Sequence, residues 1–108
     1  NDSKIDPRKK KFETKIDNLI ALICAASVGD IDEMQRLEAL GVDLDAMDYD
    51  GRTAIHLAAS EGQLEIVKYL ASKKANMSPV DRWGGTPLKD AKRGKYTDVV
   101  KFLEKITT

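Results

Sequence analysis

The side chains with chemistry to offer are few, and their spacing suits contact better than catalysis. His56 is the one histidine and Cys24 the one cysteine, so a zinc site built from several imidazoles or thiolates, or an internal disulfide, has no partners to draw on. Cys24 lies between Ile23 and Ala25 with no positive charge beside it, which predicts a small core residue in a reducing compartment and not a reactive thiol. Asp43, Asp45, Asp48 and Asp50 are spaced somewhat like calcium ligands, but the sixth and twelfth positions counted from Asp43 are Asp48 and Ala54, where such a loop needs Gly and Glu. These carboxylates are expected to serve turns and solvation. No catalytic, metal or cofactor-binding residue is expected. Tyr49, Arg82 and Trp83 are the candidate protein-contact residues, because exposed aromatics concentrate at interface hot spots. The competing expectation is that Trp83 lies against Arg82 or a neighbouring loop. The cluster Arg8, Lys9, Lys10 and Lys11 reads as a solvated linker.

The elements that would carry these residues form one small domain. With 108 residues, 42% of them hydrophobic and 33% charged, the chain has apolar content for one core and not for two. The longest apolar run, Leu19 to Ala26, spans eight residues, far short of a membrane span, and reads as a buried helix. Residue 1 is Asn and the first fifteen residues are polar and basic, unlike a secretory signal, so an intracellular segment of a longer protein is expected. The 18 basic and 18 acidic residues balance, which argues against a nucleic-acid partner. The balance is polarised along the chain. Residues 31–70 hold three basic and nine acidic residues, a net −6, while residues 71–108 hold nine and four, a net +5. Complementary ends of this kind point to a charged partner or a second copy of the chain, that is, a homo-oligomer.

Self-comparison at a shift of 33 exposes a repeat: Asp48, Gly51, Thr53, Ala58, Val67, Lys68 and Leu70 fall on Asp81, Gly84, Thr86, Ala91, Val100, Lys101 and Leu103 without a gap. The opposite shift sets Ala58, Ala59, Ser60 and Gly62 on Ala25, Ala26, Ser27 and Gly29. Three units follow, about 16–47, 48–80 and 81–108, after a basic linker at 1–15. In the second unit Thr53 precedes an apolar stripe at Ile55, Ala58 and Ala59, Gly62 supplies a helix-ending position, and Leu64, Ile66, Val67 and Leu70 form a second stripe. The pattern predicts an all-α solenoid of helix-turn-helix units. Segments 41–51 and 74–84, with their Asp and Gly residues, predict hairpin-like joining loops.

The stretch Asp48-Tyr49-Asp50-Gly51-Arg52-Thr53-Ala54-Ile55-His56-Leu57-Ala58-Ala59 with Gly62 resembles the ankyrin-repeat signature. The resemblance implies that Thr53 and His56 hydrogen-bond to hold the helix start against the adjoining loop, and that Gly51, Gly62, Gly84 and Thr86 are structural. The third unit keeps Thr86-Pro87-Leu88 but places Lys89 at the His position and Lys95 opposite Gly62. The first has Ile20-Ala21-Leu22-Ile23 instead of the Thr-to-His motif, and a turn of helix around Phe12 and Ile16 is expected to lie back over Ile20 and Ile23. More narrowly, Lys4-Ile5-Asp6-Pro7-Arg8, Asp48-Tyr49-Asp50 and Asp81-Arg82-Trp83 resemble the C-terminal ankyrin region of kidney-type and liver-type glutaminases. Plant potassium channels and kinases have similar Asp-Tyr-Asp-Gly-Arg-Thr and Asp-Arg-Trp-Gly segments. The glutaminase resemblance implies a mitochondrial parent that hydrolyses glutamine with a serine activated by a lysine three places on; the alternative implies a cytoplasmic recruitment module. The residues three after Ser3, Ser27, Ser60, Ser72 and Ser78 are Asp6, Asp30, Gln63, Ala75 and Asp81, so the chain itself is expected to be inert, with a protein as its partner.

Overall fold

Helices in this chain stop where the repeat places a left-handed residue. The computed structural model describes residues 7–107, with side chains from 15 to 107. It runs α1 (Pro7–Val28), α2 (Ile31–Ala39), α3 (Ala54–Ser60), α4 (Leu64–Ser72), α5 (Pro87–Gly94) and α6 (Thr97–Thr107), with no strand among the described residues. Gly29, Gly62 and Lys95 end α1, α3 and α5 with φ of 79°, 71° and 61°. In each unit the next amide closes the turn: Asp30, Gln63 and Tyr96 N–H donate to the carbonyls of Ala25, Ala58 and Ala91 at 2.9, 2.8 and 3.0 Å, the bond that satisfies an orphan helix-end acceptor. The left-handed conformation thus stays in register at Lys95 although Gly94 is adjacent. Gly94 has a different duty, since a Cβ there, or at Gly62, would collide with the Tyr96 ring.

The chain therefore folds as three helix pairs. α3 packs between α1 and α5, and α2, α4 and α6 form a second layer behind them. Ala25, Ala58 and Ala91, one per unit, are buried on the inner helices, while Leu37, Leu70 and Leu103 are fully buried on the outer ones. Alanine lets neighbouring helices approach, and the branched side chains fill the space between layers. At the last unit the pattern is broken with charge: Lys92 stands where the second unit buries Ala59, and it is exposed. That substitution closes the stack, because another repeat could not cover a lysine there without desolvating it.

Three expectations need correction. The Leu19 to Ala26 run is not buried all round: Leu22, Ala25 and Ala26 face the core, whereas Ile20 and Cys24 are exposed. Cys24 is consequently not a core residue, because at 100° per residue it falls on the side of α1 turned away from the Leu22 and Ala25 stripe. Nor does a turn of helix fold back over Ile20 and Ile23. α1 continues unbroken to Pro7, leaving Ile16 exposed, and the Phe12 side chain lies outside the described residues, as do those of Arg8 to Lys11.

A test of the helix-end geometry follows. Left-handed φ costs a lysine roughly 1–2 kcal/mol, and glycine returns part of this through its freer unfolded state. Lys95→Gly should raise unfolding free energy in urea by about 0.5–1 kcal/mol, whereas Gly62→Ala should lower it by at least about 1 kcal/mol.

Candidate functional site

α3 starts at Ala54 behind Thr53, whose extended backbone makes it the N-cap, and the residue one turn in is His56. Its side chain is 1% exposed. The Thr53 N–H donates to His56 Nδ1 at 3.1 Å, Thr53 Oγ1 stands 3.2 Å from the same nitrogen, and His56 Nε2 is 3.0 Å from the Gly85 carbonyl oxygen. A backbone N–H can only donate, so Nδ1 is assigned as acceptor and Nε2 as the protonated nitrogen that donates to Gly85. One ring thereby ties the start of α3 to the loop of the next unit, and neither nitrogen is left for a substrate. The third unit keeps half of this. Thr86 Oγ1 accepts from the Lys89 N–H at 3.2 Å, but Lys89 Nζ turns back to the Gly84 carbonyl of its own loop at 3.1 Å.

The loops carry a second repeated device. Asp48 Oδ1 accepts from the Asp50 and Arg52 amides, both at 2.9 Å; 33 residues on, Asp81 Oδ1 accepts from Trp83 at 2.9 Å and Gly85 at 2.7 Å. Gly51 and Gly84 close the two turns with amides 3.0 Å from the Asp48 and Asp81 carbonyls. Short aspartates favour such turns because one carboxylate oxygen can satisfy two backbone donors. The Gly85 and Trp83 amides hold the Asp81 carboxyl below its ordinary range, with smaller help from nearby His56 and Arg52 and against the opposing effect of desolvation. Neighbouring loops are stitched together: Asp45 Oδ1 accepts from the Asn76 N–H at 2.9 Å, and Asp50 accepts from Arg82 twice, through its carbonyl at 2.9 Å and its Oδ1 at 3.0 Å. The acid-rich loop is thus engaged in turns and loop pairing. Among the described residues no group of three His, Cys, Asp or Glu side chains is placed to hold a metal ion.

Above the inner helices the loops overhang a groove with two basins. The first, of about 400 Å³, is lined by Leu19, Ile20, Ile23, Cys24, Ser27, Asp48 and Leu57. The second, of about 430 Å³, lies between α3, α5 and the Asp81 loop and takes in Arg52, His56, Leu57, Trp83, Lys89, Asp90 and Arg93. Trp83 is 67% exposed, and its ring centroid lies 5.7 Å from the Arg82 guanidinium, so it is both stacked and available. Tyr49, at 96% exposed, lines neither basin. The sequence reading overlooked Arg52, Leu57, Asp90 and Arg93. For Leu57 and Asp90 the signal was present in the register, since Cys24, Leu57 and Asp90 are 33 apart and share the inner face, whereas Arg52 and Arg93 have only Gly85 and Ser60 at the equivalent positions. Asp90 is nearly buried, accepting from Arg93 Nη2 at 2.8 Å.

A sequence profile for ankyrin repeats in three copies matches residues 5–81 and 22–106. The chain is 40% identical over 102 residues to the mitochondrial glutaminase liver isoform of Rattus norvegicus, covering 94% of this chain and 17% of that protein. It is 42% identical over 103 residues to putative glutaminase 2 of Caenorhabditis elegans, covering 94% and 17%. Serine/threonine-protein kinase 12 of Arabidopsis thaliana shares 42% over 90 residues, covering 83% and 20%. The chain thus spans a fifth or less of the length of these relatives.

Removing the His56 ring orphans the Thr53 amide and leaves a cavity, so His56→Ala should lower unfolding free energy by about 1–3 kcal/mol without changing the helical circular dichroism of the folded state. Asp81 predicts a pH effect. Its folded-state carboxyl titrates below the unfolded one, so the ionised group stabilises above about pH 4, and that contribution is lost as pH falls. Glu33, lowered chiefly by its hydrogen bond from Arg36, acts with the same sign. Asp81→Asn keeps an acceptor oxygen but not the charge, and should flatten part of the acid limb of stability against pH.

Proposed function

The chain belongs to the ankyrin-repeat family, and from that premise we propose that it is a non-catalytic protein-contact and assembly module of a glutaminase. The observation that carries this is the engagement of its polar chemistry in its own architecture. Both His56 nitrogens and the turn aspartates are hydrogen-bonded within the array, while Tyr49 and Trp83 are turned outward. A general base needs a free lone pair beside a substrate site. A contact surface needs exposed, rigid aromatic area.

Support for the glutaminase parent is the 94% of this chain covered by proteins of that name in two organisms. Under this proposal the parent hydrolyses glutamine to glutamate and ammonia elsewhere in its chain, and it shares the mitochondrial location that the rat protein's name carries. The module then acts through protein contact, with the catalytic domain, a second copy or another protein, by favouring one assembly state over another. A cytoplasmic recruitment module in a kinase or channel is the second reading, favoured by the 42% identity to the plant kinase. No described helix is long and apolar enough to cross a membrane.

The upstream sequence of the full-length protein separates the two readings, since a Ser-x-x-Lys-bearing domain is expected for a glutaminase. Tyr49→Ala with Trp83→Ala should weaken self- or partner contact in sedimentation and pull-down measurements while circular dichroism stays that of the parent. Glutamine hydrolysis by this chain alone would overturn the proposal, and a double variant that retained every contact would remove Tyr49 and Trp83 from the surface.

A further inference from the structure

The two basins of the groove differ in chemistry, and they meet at one residue. Leu57, on α3, lines both. On the α1 side its neighbours are Leu19, Ile20, Ile23 and Cys24, and Ile20 is left 61% exposed. On the α5 side three cations, Arg52, Lys89 and Arg93, face two carboxylates. Both carboxylates are held from behind: Asp81 by the Trp83 and Gly85 amides, and Asp90 by Arg93. The cations keep open ends. The Arg93 and Arg52 side chains are 73% and 44% exposed, although Arg52 Nε itself is buried and faces Asp48 Oδ2 at 3.4 Å. The net +5 of residues 71–108 adds a field of the same sign.

We propose that this groove binds an extended segment of a partner protein that presents an apolar cluster to the α1 basin and an acidic cluster to the α5 basin. The inference rests on the protein-contact reading and adds the chemistry of the ligand. Apolar side chains over Ile20, Ile23 and Leu57 would remove exposed hydrocarbon from water. Carboxylates over Arg52, Lys89 and Arg93 would meet donors that the fold leaves unsaturated, and arginine takes carboxylates in paired geometry. Adjacent helices lie about 8–10 Å apart and an extended chain advances about 3.3 Å per residue, so the centres of the two clusters should be about three residues apart. A basic segment is rejected by the α5 basin, and a purely apolar one desolvates its cations without adding a carboxylate to offset the cost.

The test is selection of a random-peptide display library on the immobilised 108-residue chain, followed by fluorescence-anisotropy titration of the enriched peptides. Enriched peptides should carry an apolar and an acidic cluster about three residues apart. Their affinity should fall about tenfold with Ile20→Asp, about tenfold with Lys89→Glu, and further as salt is raised. Both substituted residues are exposed, and Lys89→Gln provides a milder charge removal should Lys89→Glu disturb the fold by circular dichroism. Enrichment of basic peptides, of peptides lacking either cluster, or of none would overturn the inference. So would apolar and acidic peptides indifferent to these substitutions. Should such peptides depend on Tyr49, which lines neither basin, the protein-contact reading stands and the groove assignment fails.

Discussion

Ala25, Ala58 and Ala91, buried at 33-residue intervals on the inner helices, set how closely α1, α3 and α5 can lie, and the rest of the array is built on that spacing. With the helices this close, the loops of successive units come within backbone hydrogen-bond range. Arg82 can then donate to the Asp50 carbonyl, and His56 can reach Gly85. A larger residue at any of the three positions would push two units apart and break bonds in loops that it never touches, because a close-packed interior transmits such a displacement. The loop contacts in turn fix the overhang that makes a groove of the inner face.

A stacked array has two ends to finish, and this chain treats them differently. At the α5 and α6 end, lysines occupy positions that inner units fill with Ala59 and Gly62, so solvent is a better neighbour than another repeat. Lys89, at the histidine position, turns back to its own loop. At the other end the histidine and threonine positions are Ile23 and Ile20. They do not form a covered cap but open onto the inner groove beside Leu57. The same substitution that removes the inter-loop clasp thus leaves hydrocarbon on the face where contact residues gather.

This division bears on how such a module can act. Ion pairs on its surface, such as Arg36 with Glu33 or Lys73 with Glu38, are exposed and of small value to stability. The buried histidine and the turn aspartates carry the local architecture instead. The exposed aromatics and the groove's exposed side chains, such as Ile20 and Lys89, are therefore free to vary in chemistry without unfolding the array, whereas His56 and Asp81 in the groove wall are not.

Much of this was legible in the residues before any coordinate. The 33-residue period, the paired helices, the left-handed stops and the turn aspartates are local or nearest-neighbour properties, and a repeat writes each of them more than once in the sequence. What periodicity could not settle was which side of α1 would find a neighbour. Leu19 to Ala26 is apolar throughout, so no polar position marks its outer face, and only the packing of α3 against Leu22, Ala25 and Ala26 leaves Ile20 and Cys24 in solvent. Nor could it show that Leu57, Asp90 and Arg93 join one groove, or that the His56 ring reaches Gly85, 29 residues away. Those contacts lie between units, and the distance between two units exists only once the alanines have packed.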